Sequence, residues 1–394
     1  MRYARRIAMY GAVTALALSA SPAHATGSVT GAGPARTAAV AKTPYGEVRE
    51  ILRRLTTVDG APGALAEVSD ARGRTVITSG VADIDTHTPI AGGSRFRIGS
   101  LTKTFTATVV LQLVGEHKVA LDAPVERYLP GLVRGNGNDG RHITVRQLLQ
   151  HTSGLPDYLD HLTPQDILRD PLAHHDREEV IGIALGHPRL FAPGKGWKYS
   201  STNYVLAGML IEKVTGHPYG EEIGQRIIRP LGLHDTSVPG DEPGITGPHP
   251  RGYVRPGDSG LVDVTEFNPS VANASGAMIS SGADVNRFFG ALMNGRLLRP
   301  TELRAMTTTR PTGGSSDRAY GLGLQSRSLP CGGLYWGHDG DIFGFQTMAG
   351  VTADGRQVTV LANLDPGGSE AQDTDLRAAV TTALCEGAAS KPAA

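Results

Sequence analysis

Ser100-Leu101-Thr102-Lys103 places a hydroxyl and an amine three residues apart. On a helix, residues i and i+3 share one face about a turn apart, so the amine can reach the hydroxyl. A serine is a weak nucleophile until a base takes its proton, and a desolvated lysine can be that base. At a helix N-terminus the serine also lies beside free N–H groups and partial positive charge, where an oxyanion would develop. A second candidate is Lys198-Tyr199-Ser200-Ser201-Thr202-Asn203. A phenol near an ammonium loses its proton more readily and can relay one to a leaving group. The third, Gly337-His338-Asp339-Gly340, follows an expected strand, so its histidine can face a cleft with backbone groups open to a bound peptide. Each pattern alone also fits a plainer role: a capping serine, an ordinary helix start with a packed aromatic, a turn. The apolar surroundings of Lys103 weigh against the first, because an idle buried lysine is costly.

These groups need elements to hold them. Gly63–Ser69 and Thr75–Val81 read as a hairpin turning at Ala71-Arg72-Gly73. Residues 100–116 have helical spacing with almost no polar face, which predicts a helix buried nearly all round. Residues 121–270 read as a mostly helical insertion, with helices expected at Val145–Gln150, Glu178–Leu185, Asn203–Val214 and Glu221–Ile228. Strands return at Ser275–Ser280, Tyr320–Gln325, Gly333–Trp336, Phe345–Val351 and Gln357–Asn363, before a helix over Ala371–Cys385. The order predicts an α/β layer built from both chain ends, about 46–120 and 271–387, around that insertion.

Met1–Arg6 carries three arginines, Ile7–Ala20 is mostly apolar and Ala23-His24-Ala25 fits a small-x-small cleavage site. Residues 1–25 therefore read as a signal peptide, 26–45 as a flexible leader and 388–394 as a tail, and the expected location is extracellular. The apolar run is short for a membrane span, so no stable membrane insertion is expected. The chain has 38 basic and 38 acidic residues; without residues 1–25 the counts are 35 and 38, net −3. That near-neutral balance lacks the basic stripe a nucleic-acid partner requires. Cys331 and Cys385 are the whole thiol inventory, and in an exported chain an isolated pair favours a disulfide over a redox or metal site. Two buried thiols are the alternative.

Taken together, Ser-x-x-Lys, a Tyr-x-x about 100 residues on and His-x-Gly on a late strand resemble the penicillin-recognising serine hydrolases. That family includes D-alanyl-D-alanine carboxypeptidases, class C β-lactamases and related esterases and D-amino-acid peptidases. Phe96-Arg97-Ile98-Gly99-Ser100, Leu148–Leu155, Asn203–Gly208 and Tyr320–Leu324 look like the same family, over about residues 46–386. The resemblance implies a β-lactamase-like antiparallel sheet flanked by helices and an acyl-enzyme mechanism without cofactor or metal. Ser100 is then the nucleophile, Lys103 its base, Tyr199 the proton shuttle and His338 part of the substrate strand. The N–H groups of Ser100 and of a residue near 341–343 would form the oxyanion hole, and a late disulfide matches Cys331 and Cys385. Expected substrates are D-amino-acid peptides, amides or esters, with peptidoglycan fragments and β-lactams as further partners. A β-lactamase, a small-ester esterase and a non-catalytic peptidoglycan- or penicillin-binding protein are the alternatives.

Two departures bear on substrate choice. The family's Tyr-x-Asn reads Tyr199-Ser200-Ser201, so a hydroxyl replaces an amide, and Asn203 stands two positions late. Where the similar carboxypeptidases hold a terminal carboxylate with an arginine and hydroxyls, this chain has Gln325, Asp339 and Asp341 around His338 and Gly340. Two like charges about 5 Å apart repel by about 3 kcal/mol at an effective dielectric near 20, so acids there would reject a carboxylate unless Arg327 compensates. Other signals read blandly. Gly135–Gly140 fits a surface loop, His174-His175-Asp176 a solvated turn, and His151 a helix-end structural residue. Trp197 and Trp336 are open between cleft and core.

Overall fold

The apolar, β-branched segments from both ends of the chain form one eight-stranded antiparallel sheet in the computed structural model, which describes residues 44–257, 260–313 and 317–386. In chain order the strands are β1 (Gly63–Asp70), β2 (Gly73–Gly80), β3 (Arg310–Pro311), β4 (Arg318–Tyr320), β5 (Gln325–Ser328), β6 (Leu334–Ile342), β7 (Phe345–Thr352) and β8 (Gln357–Ala362). They lie side by side as β2-β1-β8-β7-β6-β5-β4-β3. The two ends of the chain meet where β1 pairs with β8, Leu65 opposite Leu361.

Both faces of the sheet are covered, so its central strands are apolar on both sides rather than alternating. Helices α1 (Gly46–Thr57) and α5 (Glu370–Glu386) pack Val48, Leu52, Leu376 and Val380 onto Ala66, Val358 and Val360. Full burial of such a side chain stabilises the fold by roughly 1.5–3 kcal/mol. On the opposite face lie α2 (Thr102–Gly115), α3 (Thr202–Thr215) and α4 (Gly282–Met293), with the Phe105 and Phe288 rings stacked 3.6 Å apart. In α2 only Gln112 and Val114 escape full burial, as its lack of a polar face predicts. The Cys331–Cys385 disulfide ties the turn after β5 to the end of α5.

Several expected boundaries shift. The signal peptide and the leader up to residue 43 fall outside the described residues, as does the tail, but Tyr45 belongs to the fold: it is buried and its hydroxyl donates to Asp70. The strand expected over Tyr320–Gln325 is two strands, β4 and β5, separated by a turn in which Gly321 N–H donates to the Leu324 carbonyl. That turn lets Thr104 of α2 donate to the Gly323 carbonyl. Of the strand expected over Ser275–Ser280, Ser275 closes a 3₁₀ turn, Asn273–Ser275, and the strand begins only at Ile279, running Ile279–Ser281 paired with Arg95–Arg97. The helix expected over Glu221–Ile228 is regular only at Tyr219–Ile223 and continues as a wider turn through Gly224–Ile228. The strand expected over Gly333–Trp336 runs on to Ile342, so His338 lies on it as the resemblance implies.

Candidate active site

The site lies where β6 passes the start of α2. Ser100 sits in a 3₁₀ turn, Gly99–Leu101, that leads directly into α2. Two glycines allow the turn to press against the strand. A Cβ at Gly340 would lie 2.1 Å from the Ile98 carbonyl oxygen, and one at Gly99, whose φ is +49°, would lie 2.9 Å from the Asp341 nitrogen. The Ser100 turn and the Asp341 backbone are therefore in direct apposition. The ladder between β5 and β6 ends at Gln325 opposite Gly337. Among the described residues, His338–Ile342 consequently pair with β7 on one side and leave the other edge open beside Ser100. An open edge of this kind accepts an extended peptide as an added strand.

Lys103 is 1% exposed, and its Nζ lies 2.9 Å from Ser100 Oγ, 2.8 Å from the Ser275 carbonyl oxygen and 3.4 Å from Ser201 Oγ. Desolvation lowers its pKa to about 7, against the weaker pull of the Asp157 and Asp341 carboxylates. A neutral amine fits these neighbours: two N–H bonds serve Ser275 and Ser201, and the lone pair faces the Ser100 hydroxyl. Ser201, where the similar enzymes carry Asn, thus sits on the lysine, while its own N–H donates to Asp157 Oδ2 at 2.9 Å. The Tyr199 ring stands 4.9 Å from Lys103 Nζ. The ease of proton loss expected for Tyr199 is reversed. Burial, chiefly, and then Tyr320 hold its phenol well above the usual tyrosine range, although the Ser100 hydroxyl works the other way. Tyr199 is a proton-bearing phenol, suited to relay and not to act as a phenolate base.

Behind Tyr199 lies a buried chain of hydrogen bonds with a fixed sense. The Ser200 N–H donates to His151 Nδ1 at 3.1 Å, so that nitrogen is an acceptor and His151 carries its proton on Nε2. His151 Nε2–H then donates to Tyr320 Oη at 3.2 Å. His338 Nδ1 lies 2.5 Å from the Asp339 carbonyl, which can only accept, so the proton is on Nδ1 and Nε2 accepts from Tyr320 at 2.8 Å. Desolvation lowers both imidazoles, His338 to about 3 and His151 well below its ordinary value. Asn203 donates to the same His151 Nδ1 and accepts from Ser153, so it braces the Tyr199 loop. His151 is structural, as expected, at a positive φ of 59°.

The cleft in front of Ser100 is a cavity of about 380 Å³ that reaches Trp197, Tyr199, Gln325, Arg327, His338, Asp339 and Asp341. Trp197 therefore belongs to the cleft, whereas Trp336 packs against the main core. Arg327 does compensate for Asp339, with Nη2 3.3 Å from Oδ2, and its Nη1 faces Asp317 at 3.7 Å. Asp341 has no such partner. It is ringed by protein but open to the cleft. Burial, then the Asp339 and Asp373 carboxylates, raise it to about 6, a shift that cleft solvent tempers. Gln325 is 3% exposed and its Oε1 has no partner. Among the described residues no cluster of His, Cys, Asp or Glu could hold a metal ion; His174 instead bonds Asp241 and Asp176. Sequence reasoning passed over Asp157, Ser275 and the part Tyr320 plays, because a carbonyl acceptor and a helix-end acid leave no motif.

A beta-lactamase family profile matches residues 48–382. The chain belongs to the beta-lactamase family. Its fold and sequence are those of a penicillin-recognising serine hydrolase. Over 85% of this chain and 98% of the other, it is 41% identical to a D-stereospecific amidohydrolase from Streptomyces sp., with a TM-score of 0.79. It is 30% identical to the D-amino acid amidase of Ochrobactrum anthropi SV3, over 88% and 98% of the two chains, with a TM-score of 0.74. Among curated proteins it is 36% identical to esterase EstB of Burkholderia gladioli over 174 residues, 42% of this chain and 43% of that protein. The match thus spans less than half of the esterase. No helix of the described residues is long and apolar enough to cross a membrane.

With Lys103 as the base, which must be neutral to accept a proton, the expected outcome is that kcat/KM rises with pH through a midpoint near 7. A midpoint below 5 would show that another group is the base. In Tyr320→Phe two buried imidazole nitrogens lose their partner, which costs about 1–3 kcal/mol of stability, and kcat/KM should fall about tenfold. Ring ¹⁵N shifts of the wild-type histidines should show His151 protonated on Nε2 and His338 on Nδ1. A His338 protonated on Nε2 would contradict the assigned chain.

Proposed function

We propose that the protein is a D-stereospecific serine amidase or peptidase working through an acyl-enzyme. Neutral Lys103 takes the Ser100 proton as Oγ attacks the substrate carbonyl. The N–H groups of Ser100 and Asp341 receive the developing oxyanion. The proton passes through Tyr199 to the leaving nitrogen, the C–N bond breaks, and an ester on Ser100 remains. Water, deprotonated by the same lysine, releases the acid and restores the serine. His338 and its open strand edge hold the substrate backbone, with Ser201 in place of the family amide.

The observation that carries the substrate reading is the charge beside the scissile bond. Arg327 is paired with Asp339, the uncharged Gln325 stands where the similar carboxypeptidases have an arginine, and Asp341, hydrogen-bonded by Gln346, is the carboxylate without an ion-pair partner. A leaving group that is an amide nitrogen or an amine meets acceptors there: Asp341 and the unpartnered Oε1 of Gln325. A leaving group with a carboxylate on its first residue meets no free cation. This favours amidase over D-alanyl-D-alanine carboxypeptidase, in keeping with the activities for which the amidohydrolase and amidase relatives are named. D-amino-acid esters follow the same acyl-enzyme route. On the reading of residues 1–25 as a signal peptide and the Cys331–Cys385 bond, the enzyme acts outside the cytoplasm.

The discriminating experiment compares kcat/KM on a peptide ending in D-Ala-D-Ala with the same peptide as its C-terminal amide. The amide should be at least about tenfold better, a difference of about 1.4 kcal/mol in transition-state binding. A tenfold preference for the free acid would overturn the reading, and turnover that survives Ser100→Ala would remove the mechanism.

A further inference from the structure

The leaving group must depart on the side from which its proton arrives, along the wall next to Tyr199. That wall is rich in donors. Trp197 and Lys198 precede Tyr199, and Arg318 at the start of β4 lines the same cavity as Ser100. Trp197 Nε1 and Arg318 Nε are buried without a hydrogen-bond partner. The Trp197 ring lies 5.8 Å from Tyr320, and the Arg318 charge bears on Tyr320, His151 and His338, so both groups belong to one corner of the cleft. The other guanidiniums there each pair with carboxylates, Arg327 with Asp339 and Asp317 and Arg377 with Asp373 at 3.0 Å, although Arg327 Nε and Arg377 Nη1 are likewise unpartnered. Among the described residues no carboxylate pairs with Arg318.

We propose that Trp197 and Arg318 form a subsite for a carboxylate placed one residue beyond the scissile bond, the C-terminus of a two-residue leaving group. The inference rests on the amidase reading and extends it. In β register Arg318 stands opposite Arg327, one step of the same face away from Gln325 opposite Tyr320. A two-residue step along a strand is about 6.7 Å, so the donors lie past the acceptor zone of Gln325 and Asp341. An extended leaving group therefore meets acceptors at its first N–H and donors at its end. A guanidinium binds a carboxylate through charge-assisted, two-point hydrogen bonds, and the free indole N–H adds a third donor. The same gradient disfavours a free single amino acid, whose carboxylate falls short of Arg318 and lies among acceptors.

The test uses one D-aminoacyl group with two leaving groups, glycylglycine and glycylglycine amide. Wild type should show a kcat/KM ratio of acid to amide of about ten or more. Arg318→Gln should bring that ratio close to one, and Trp197→Phe should lower it in part. A wild-type ratio near one, or a ratio unchanged in Arg318→Gln, overturns the subsite. If no D-amide is turned over, the amidase reading fails by itself. The subsite is then judged by whether glycylglycine, and not its amide, slows fluorophosphonate labelling of Ser100 in wild type but not in Arg318→Gln. Equal effects of acid and amide there reject it.

Discussion

The structure depends on one lysine kept out of water without an ion-pair partner. Lys103 is enclosed by α2, the Asn273–Ser275 turn and the loop entering α3, and its nearest contacts are a carbonyl and two hydroxyls. Burying an ammonium without a partner is expensive, so the group lowers its pKa instead. A carboxylate placed directly against it would restore the charge and remove the base. Asp157 and Asp341 are close enough to act on it at a distance; Asp157 is itself raised by burial, whereas Asp341 is open to the cleft. The all-round apolar character of α2 follows from this requirement: an amphipathic helix would admit water along one face.

Around that lysine the fold supplies two rigid references. The first is β6, whose glycines let the Ser100 turn touch the strand, so that nucleophile and open peptide edge share one frame. The second is the His151–Tyr320–His338 chain, which links the loop carrying Tyr199 to the same strand through neutral groups. Neutral imidazoles can be buried there without partner charges, and their fixed tautomers give the chain a single sense. Both references converge on the cleft, where Asp341 and Gln325 offer acceptors near the bond to be broken and Trp197 and Arg318 offer donors farther away.

Much of this was legible in the sequence. The burial of α2 follows from its composition, and the pairing of the chain ends from the apolar runs at Gly63–Asp70 and Gln357–Ala362. Ser100, Lys103 and Tyr199 were recognisable by spacing, and the structure brings Lys103 to both of the others. What escaped was set by contacts between distant segments. The break at Gly321–Leu324 looks like continuous strand until α2 packs against it, and the turn at Ser275 has strand-like residues but is shaped by the lysine it receives. The phenol of Tyr199 was expected to be acidified by a nearby ammonium. It is not, because the same burial that neutralises the lysine removes the charge on which that expectation relied.

The central claim is that Lys103 gives up its proton near pH 7 in the folded protein, and its direct test is an NMR titration of ¹³Cε-labelled lysines. The chain has seven lysines, and among the described residues Lys103 is the buried one, so its resonance can be assigned by its loss in Lys103→Arg. The account predicts that the Lys103 resonance titrates near pH 7. If the Lys103 resonance titrates only above pH 9, the amine is a structural cation and the serine must be activated by something else.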